Sequence, residues 1–272
     1  MAHLKDIDIF YHDTQTAAPA TLCLHGRYGR GETWVDFIRH YGERYRVIAP
    51  DQRGHGLSGK PLSRYSVAEM SADMVALLQY LELDSAIVVG HSMGGGIAGY
   101  LAAHHPEMVK GLAILDKSAA GPEGVLPSLE EIAPIDPLTK DWPMPFSSLI
   151  EAQTFIKNAL ESQLSYEYFM NSLVETVAGY QMLFSAQAMA ANIACYRSWF
   201  DLLPKLKCPV LLMRAKESGA VSDEDFAKMK ALIPNCMACE IDHPDHNVHL
   251  GNKKEFYTQF DKFLNTINSS IA

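Results

Sequence analysis

The chain has 272 residues, enough for one large α/β domain or a domain carrying an insertion. Its 48% hydrophobic and 20% charged residues are ordinary for a globular enzyme. A formal charge of −9 argues against nucleic acid or an anionic membrane as the main partner. From Met1 to Asp6 there is no apolar signal core, and no apolar run approaches a membrane span, so a cytoplasmic location is expected. Cys23, Cys195, Cys208, Cys236 and Cys239 are not laid out as a disulfide framework. Cys236 and Cys239 have C-x-x-C spacing without a second pair to complete a zinc site, so they read as ordinary thiols, with a metal or redox role the weaker alternative.

Ile7 to Tyr11 alternates and predicts an early hairpin-type strand. Ala20–Leu24 is a short apolar strand running into His25-Gly26-Arg27-Tyr28-Gly29, and Trp34, Phe37, Ile38 and Tyr41 then recur at helical spacing. Arg46–Pro50 is the next strand, followed by Asp51-Gln52-Arg53-Gly54-His55-Gly56-Leu57-Ser58. Met70, Met74, Leu77, Leu78 and Leu81 mark an amphipathic helix. Ser85–Val89 forms a β-branched strand, Ile97–His105 an Ala-rich helix, and Val109–Asp116 a further strand. Strands alternating with helices predict a mostly parallel sheet covered on both faces.

Composition then changes. Pro122, Pro127, Pro134, Pro137, Pro143 and Pro145 exclude a continuous helix and suggest an irregular entry into an insertion. Helical stretches are predicted near Ser147–Leu160, Ser165–Ala178 and Ser185–Phe200. Cys208–Met213 resumes the sheet, and helix Asp223–Leu232, strand Met237–Ile241 and helix Lys253–Leu264 follow. The expected organisation is a core of residues 1–117 and 202–272 with a helical cap over 118–201. Trp142, Phe155, Tyr166, Phe169 and Met170, with other aromatics and Met in that segment, would line an apolar pocket or merely pack the cap.

Between the Ser85–Val89 strand and the helix after it lies Gly90-His91-Ser92-Met93-Gly94, a G-x-S-x-G pattern. A strand that turns sharply into a helix strains its pivot and crowds the residues two before and two after, where glycine removes the colliding Cβ. Ser92 would thereby stand clear of the sheet, above a helix N-terminus that favours negative charge. A serine hydroxyl needs a base to take its proton, and His246 in Asp245-His246-Asn247-Val248-His249-Leu250 is the candidate. His243, His246 and His249 as a metal site is the rival reading, but their spacing around Pro244 fits no H-E-x-x-H helix.

Together the His25-Gly26 turn, the Asp51–Ser58 loop, the Ser92 elbow and the late His246 resemble the α/β-hydrolase superfamily over essentially the whole chain. The resemblance implies an α/β-hydrolase fold, with an eight-stranded, mostly parallel sheet and a cap between strands six and seven. It also implies a Ser–acid–His order and an oxyanion hole from the backbone N–H groups of Met93 and Arg27. At the commonest place for the acid, Ala215 replaces a glycine and Ser218 fills the expected slot, with Glu217 one position early. Asp116, at the superfamily's second place for the acid, is preferred, and Glu217 is the alternative. The Arg27 side chain either pairs with a substrate carboxylate or is simply solvated. The expected function is hydrolysis of a small-molecule carboxylic ester or lactone through an acyl-enzyme, calling for no cofactor and no metal. An amide or C–C bond hydrolase with the same residues is the alternative, as is a non-catalytic receptor on a hydrolase fold.

Overall fold

The computed structural model describes residues 1–269, so the last three positions of the expected 202–272 core segment lie outside the described residues. The chain opens with β1 (Ala2–His3), β2 (Asp8–Ile9), β3 (Tyr11–Asp13), β4 (Ala20–Leu24), α1 (Val35–Tyr41) and β5 (Arg46–Pro50). It continues through α2 (Val67–Tyr80), β6 (Ala86–His91), α3 (Met93–His104) and β7 (Val109–Leu115). An irregular stretch then leads to α4 (Leu149–Ala159), α5 (Gln163–Met170), β8 (Leu173–Thr176), β9 (Gly179–Met182) and α6 (Ala186–Ala194). The chain closes with β10 (Val210–Ala215), α7 (Asp223–Leu232), β11 (Cys236–Ile241) and α8 (Lys253–Ser269).

The main sheet has seven strands in the order β11-β10-β7-β6-β4-β5-β3, all parallel except β3. The expected eighth strand is missing because the alternating stretch 7–11 breaks at Phe10. The Phe10 amide donates to Ser58 Oγ, and its carbonyl accepts from the Asp51 amide. Its amide is thus taken by a side chain, and β2 pairs with β1 in a separate two-stranded sheet.

Every residue of β4, β6 and β10 is buried, as central strands covered on both faces require. On one face Met70, Met74, Leu77 and Leu78 of α2 and Ile97 and Leu101 of α3 pack against Leu22, Val88 and Leu112. On the other, Phe37 and Tyr41 of α1 and Phe256, Phe260 and Phe263 of α8 pack against Val47, Val89 and Leu211.

The segment between β7 and β10 is less helical than its sequence suggests. α5 stops at Met170, and the second half of the expected Ser165–Ala178 helix is the β8–β9 hairpin. Val174 and Thr176 are β-branched, and Gly179 takes φ 119° just after the Val177-Ala178 turn, a geometry that other residues rarely adopt. α4, α5 and α6 each begin where a serine hydroxyl (Ser148, Ser162, Ser185) accepts a backbone N–H of the first turn. α6 ends at Ala194, well short of the expected Phe200. Among the described residues no helix is long and apolar enough to cross a membrane.

Candidate active site

Ser92 sits between β6 and α3 with φ 51° and ψ −117°. The strain is held by its surroundings. The Ser92 amide donates to Leu115 O at 2.9 Å, and its carbonyl accepts from the Gly95 amide at 2.9 Å. A Cβ on Gly90 would fall 2.1 Å from the Gly94 carbonyl oxygen, and one on Gly94 would fall 2.3 Å from that of Leu24. Both glycines are therefore required for the turn to close.

Asp116 follows the last residue of β7 and takes φ 47°, a left-handed conformation that turns its side chain across β10. The carboxylate is fully buried and accepts three hydrogen bonds. Oδ1 takes the Ala215 amide at 3.0 Å, and Oδ2 takes Ser218 Oγ at 2.7 Å and His246 Nδ1 at 2.8 Å. The proton on His246 Nδ1 leaves Nε2 with a free lone pair. Glu217, the alternative acid, is exposed. The structure thus brings Asp116 to His246 and leaves Glu217 outside.

His91 holds the His246 loop from below. Its Nε2 donates to the His246 carbonyl at 2.9 Å, and burial and the nearby imidazoles keep its ring neutral. His249 stacks on Trp34 at 4.5 Å, and burial lowers its pKa to about 3. His243 accepts the Asp245 amide on Nδ1. Among the described residues no three His, Cys, Asp or Glu side chains are grouped to hold a metal ion. Cys236 and Cys239 lie on edge strand β11, where burial raises their thiols to about 11 and about 12.

The turn after β4 lies against the elbow: a Cβ on Gly26 would be 3.1 Å from Ser92 Cβ. The Gly26 carbonyl accepts from His25 Nδ1 at 2.8 Å, Tyr168 Oη at 3.0 Å and the Gly29 amide at 3.2 Å. Because a trans peptide is planar, pinning that carbonyl also fixes the opposite direction of the Arg27 N–H. His25 Nε2 in turn accepts the Gln52 amide at 3.0 Å, and burial lowers its pKa to about 4. Met93, the first residue of α3, has an N–H with no carbonyl inside the helix to receive it. Tyr168 was not singled out among the aromatics of its segment. Nothing in local spacing ties a residue of α5 to a loop so far away in sequence.

The Arg27 side chain is not a solvated surface group. Its Nε donates to Asn192 Oδ1 of α6 at 3.1 Å, and burial lowers the guanidinium pKa. Lys117, the residue after Asp116, crosses the first turn of α3. A Cβ on Gly95 would stand 3.0 Å from Lys117 Cβ. Its ammonium lies 3.7 Å from the Tyr196 ring centre, and burial, with Arg27 nearby, lowers its pKa to about 7. Lys117 carries no signal in the sequence, since a lysine at a strand end does not show what faces it.

A parallel sheet, a strained serine between strand and helix, and a late histidine bonded to a buried aspartate define an α/β hydrolase. The family model described as alpha/beta hydrolase fold matches residues 19–253, and the chain belongs to that family. An uncharacterized protein of Mycobacterium bovis is 40% identical over 105 residues, 39% of this chain and 30% of that protein. The chain thus spans under a third of that relative's length. A 2-(acetamidomethylene)succinate hydrolase of Mesorhizobium japonicum is 29% identical over 248 residues, 86% of this chain and 83% of that one. The crystal structure of an E-2-(acetamidomethylene)succinate hydrolase superposes with a TM-score of 0.78 at 20% identity, covering 96% of each chain, a likeness of fold alone.

Proposed function

We propose that the protein is a serine hydrolase of small carboxylic esters or lactones that works through an acyl-enzyme. The observation that carries this reading is the 2.8 Å bond from His246 Nδ1 to the buried Asp116, beside a serine strained at φ 51°. Ser92 Oγ attacks the acyl carbon while His246 Nε2 takes its proton. The N–H groups of Arg27 and Met93 receive the developing oxyanion. His246 then protonates the leaving alcohol, which departs as the carbonyl re-forms. Water attacks the acyl-enzyme, passes a proton to His246, and the collapse of that adduct returns the proton to Ser92 Oγ and releases the acid. Residues 118–201 act as a cap over this centre, a role supported by the Tyr168–Gly26 bond and by Ser172 Oγ donating to the Tyr28 carbonyl at 2.7 Å.

Amide hydrolysis with the same residues is the second reading, favoured by the relative named for an acetamido compound that aligns with 86% of this chain at 29% identity. A fluorophosphonate probe tests the common core of both: it labels the wild type and not Ser92→Ala. Paired 4-nitrophenyl acetate and 4-nitroacetanilide then separate ester from amide. Labelling that persists in Ser92→Ala would refute the reading.

A further inference from the structure

Arg27 and Lys117 are two cations with no carboxylate in ion-pair reach among the described residues. Arg27 meets the neutral side chains of Asn192, in the bond already described, and Tyr28. Asp136, whose charge acts on Arg27 from beyond ion-pair distance, accepts Tyr28 Oη at 2.9 Å, the amides of Leu138 and Thr139, and the Thr139 hydroxyl. Asp116, next to Lys117 in sequence, spends its oxygens on Ala215, Ser218 and His246. Among the described residues Lys117 meets the face of Tyr196, whose hydroxyl donates to the carbonyls of Ser118 and Ala120.

Both cations are crowded by protein, yet each keeps part of its surface accessible. The two flank Ser92: Arg27 follows Gly26, whose Cβ position lies 3.1 Å from Ser92 Cβ, and Lys117 lies over Gly95 and Gly96 in the first turn of the helix that Ser92 opens. Two desolvated like charges without an ion-paired anion are unfavourable, and a bound anion lessens that penalty.

We propose that Arg27 and Lys117 form an anion subsite beside Ser92, so that the substrate carries a carboxylate near its scissile acyl group. The inference rests on the hydrolase reading for its substrate, and not for the site itself.

The test uses glutarate and its neutral isostere glutaramide against 4-nitrophenyl acetate turnover. Glutarate inhibits competitively, and glutaramide does so at least about tenfold more weakly. Lys117→Met and Arg27→Met each raise the inhibition constant of glutarate about tenfold or more, and Lys117→Arg keeps it within a few fold. Lys117→Met folds, because it replaces an unpaired charge with a chain of similar length. Titration calorimetry of glutarate into Ser92→Ala gives a second readout that needs no turnover. Ser92-dependent turnover with no glutarate effect overturns the subsite and leaves the hydrolase intact. Absent turnover with Lys117-dependent glutarate binding sinks the hydrolase reading and upholds the subsite. Inorganic phosphate competing better than glutarate overturns the carboxylate assignment.

Discussion

Ser218 donates its hydroxyl proton to Asp116 Oδ2 at 2.7 Å, the same oxygen that receives His246 Nδ1. The serine that stands where most relatives would place an acid therefore serves the carboxylate that stands elsewhere. On the mechanism proposed, Asp116→Asn loses roughly ten-thousandfold in kcat, because a neutral amide favours the wrong histidine tautomer. Ser218→Ala, which removes one of three donors, loses about three- to tenfold. Glu217→Gln loses less than tenfold. Steady-state kinetics on one activated ester ranks the three, and a crippled Glu217→Gln beside a healthy Asp116→Asn reverses the assignment.

Ser92→Ala removes turnover and leaves the fold in place. Ser92→Gly also lacks turnover but is more stable by ~1 kcal/mol, since glycine adopts φ 51° without a Cβ penalty. Urea unfolding of both variants checks this. An unchanged midpoint for Ser92→Gly means that the pivot stores no strain.

Tyr168→Phe removes one of the three donors on the Gly26 carbonyl. If that carbonyl orients the Arg27 N–H, kcat falls about tenfold while KM changes little, as for a loosened oxyanion donor. A rise in KM at constant kcat would instead make Tyr168 a substrate contact. Gly29→Ala should damage the same loop, because its Cβ would lie 2.1 Å from Tyr168 Oη.

Four buried histidines make stability depend on acid. Burial lowers His25 to about 4 and His249 to about 3, and lowers His55 and His91 as well. Between pH ~6.5 and these folded values the unfolded chain binds protons that the native state refuses, so stability falls as pH falls. Each histidine contributes at most about 1.4 kcal/mol per pH unit across its window. Denaturant titrations at pH 7, 6 and 5 should give decreasing stability, with a shallower slope in His249→Phe. A flat profile would mean that these rings protonate freely in the native state.

Lys117 has the same sign of shift in a higher range. Burial, then Arg27, lowers it to about 7 from 10.5, so the unfolded state holds its proton more tightly across that interval. Its destabilising effect is complete below pH ~7 and fades as pH rises toward ~10.5. Lys117→Met therefore raises the melting temperature at pH 6.5, and the gain shrinks by pH 10. A lysine placed for structure alone would lower it on removal.

Much of this protein is legible in its sequence because the relevant constraints are local. The elbow glycines read directly, since a Cβ at either one collides with backbone a few residues away or on the neighbouring strand. The order of β4, β5, β6 and β7 follows from short apolar runs separated by helical periods. Asp223–Leu232 begins and ends where the structure has it, because Ser222 caps it and its charges favour the helix start. Local pattern failed at Phe10, where bonds to Ser58 and Asp51 break an alternation that looks continuous. It failed again after Met170, where the pairing of β8 with β9 overrides helical spacing. Contacts between positions distant in sequence were decided by the tertiary structure alone. His246 meets Asp116 and not Glu217 because β7 and β10 are neighbours and Asp116 turns at φ 47° across the pair. Tyr168 reaches Gly26, and Asn192 reaches Arg27, only once α5 and α6 pack against the loop after β4. The charge state of Arg27 and Lys117 depends on the groups the fold sets around them, which spacing along a chain does not encode.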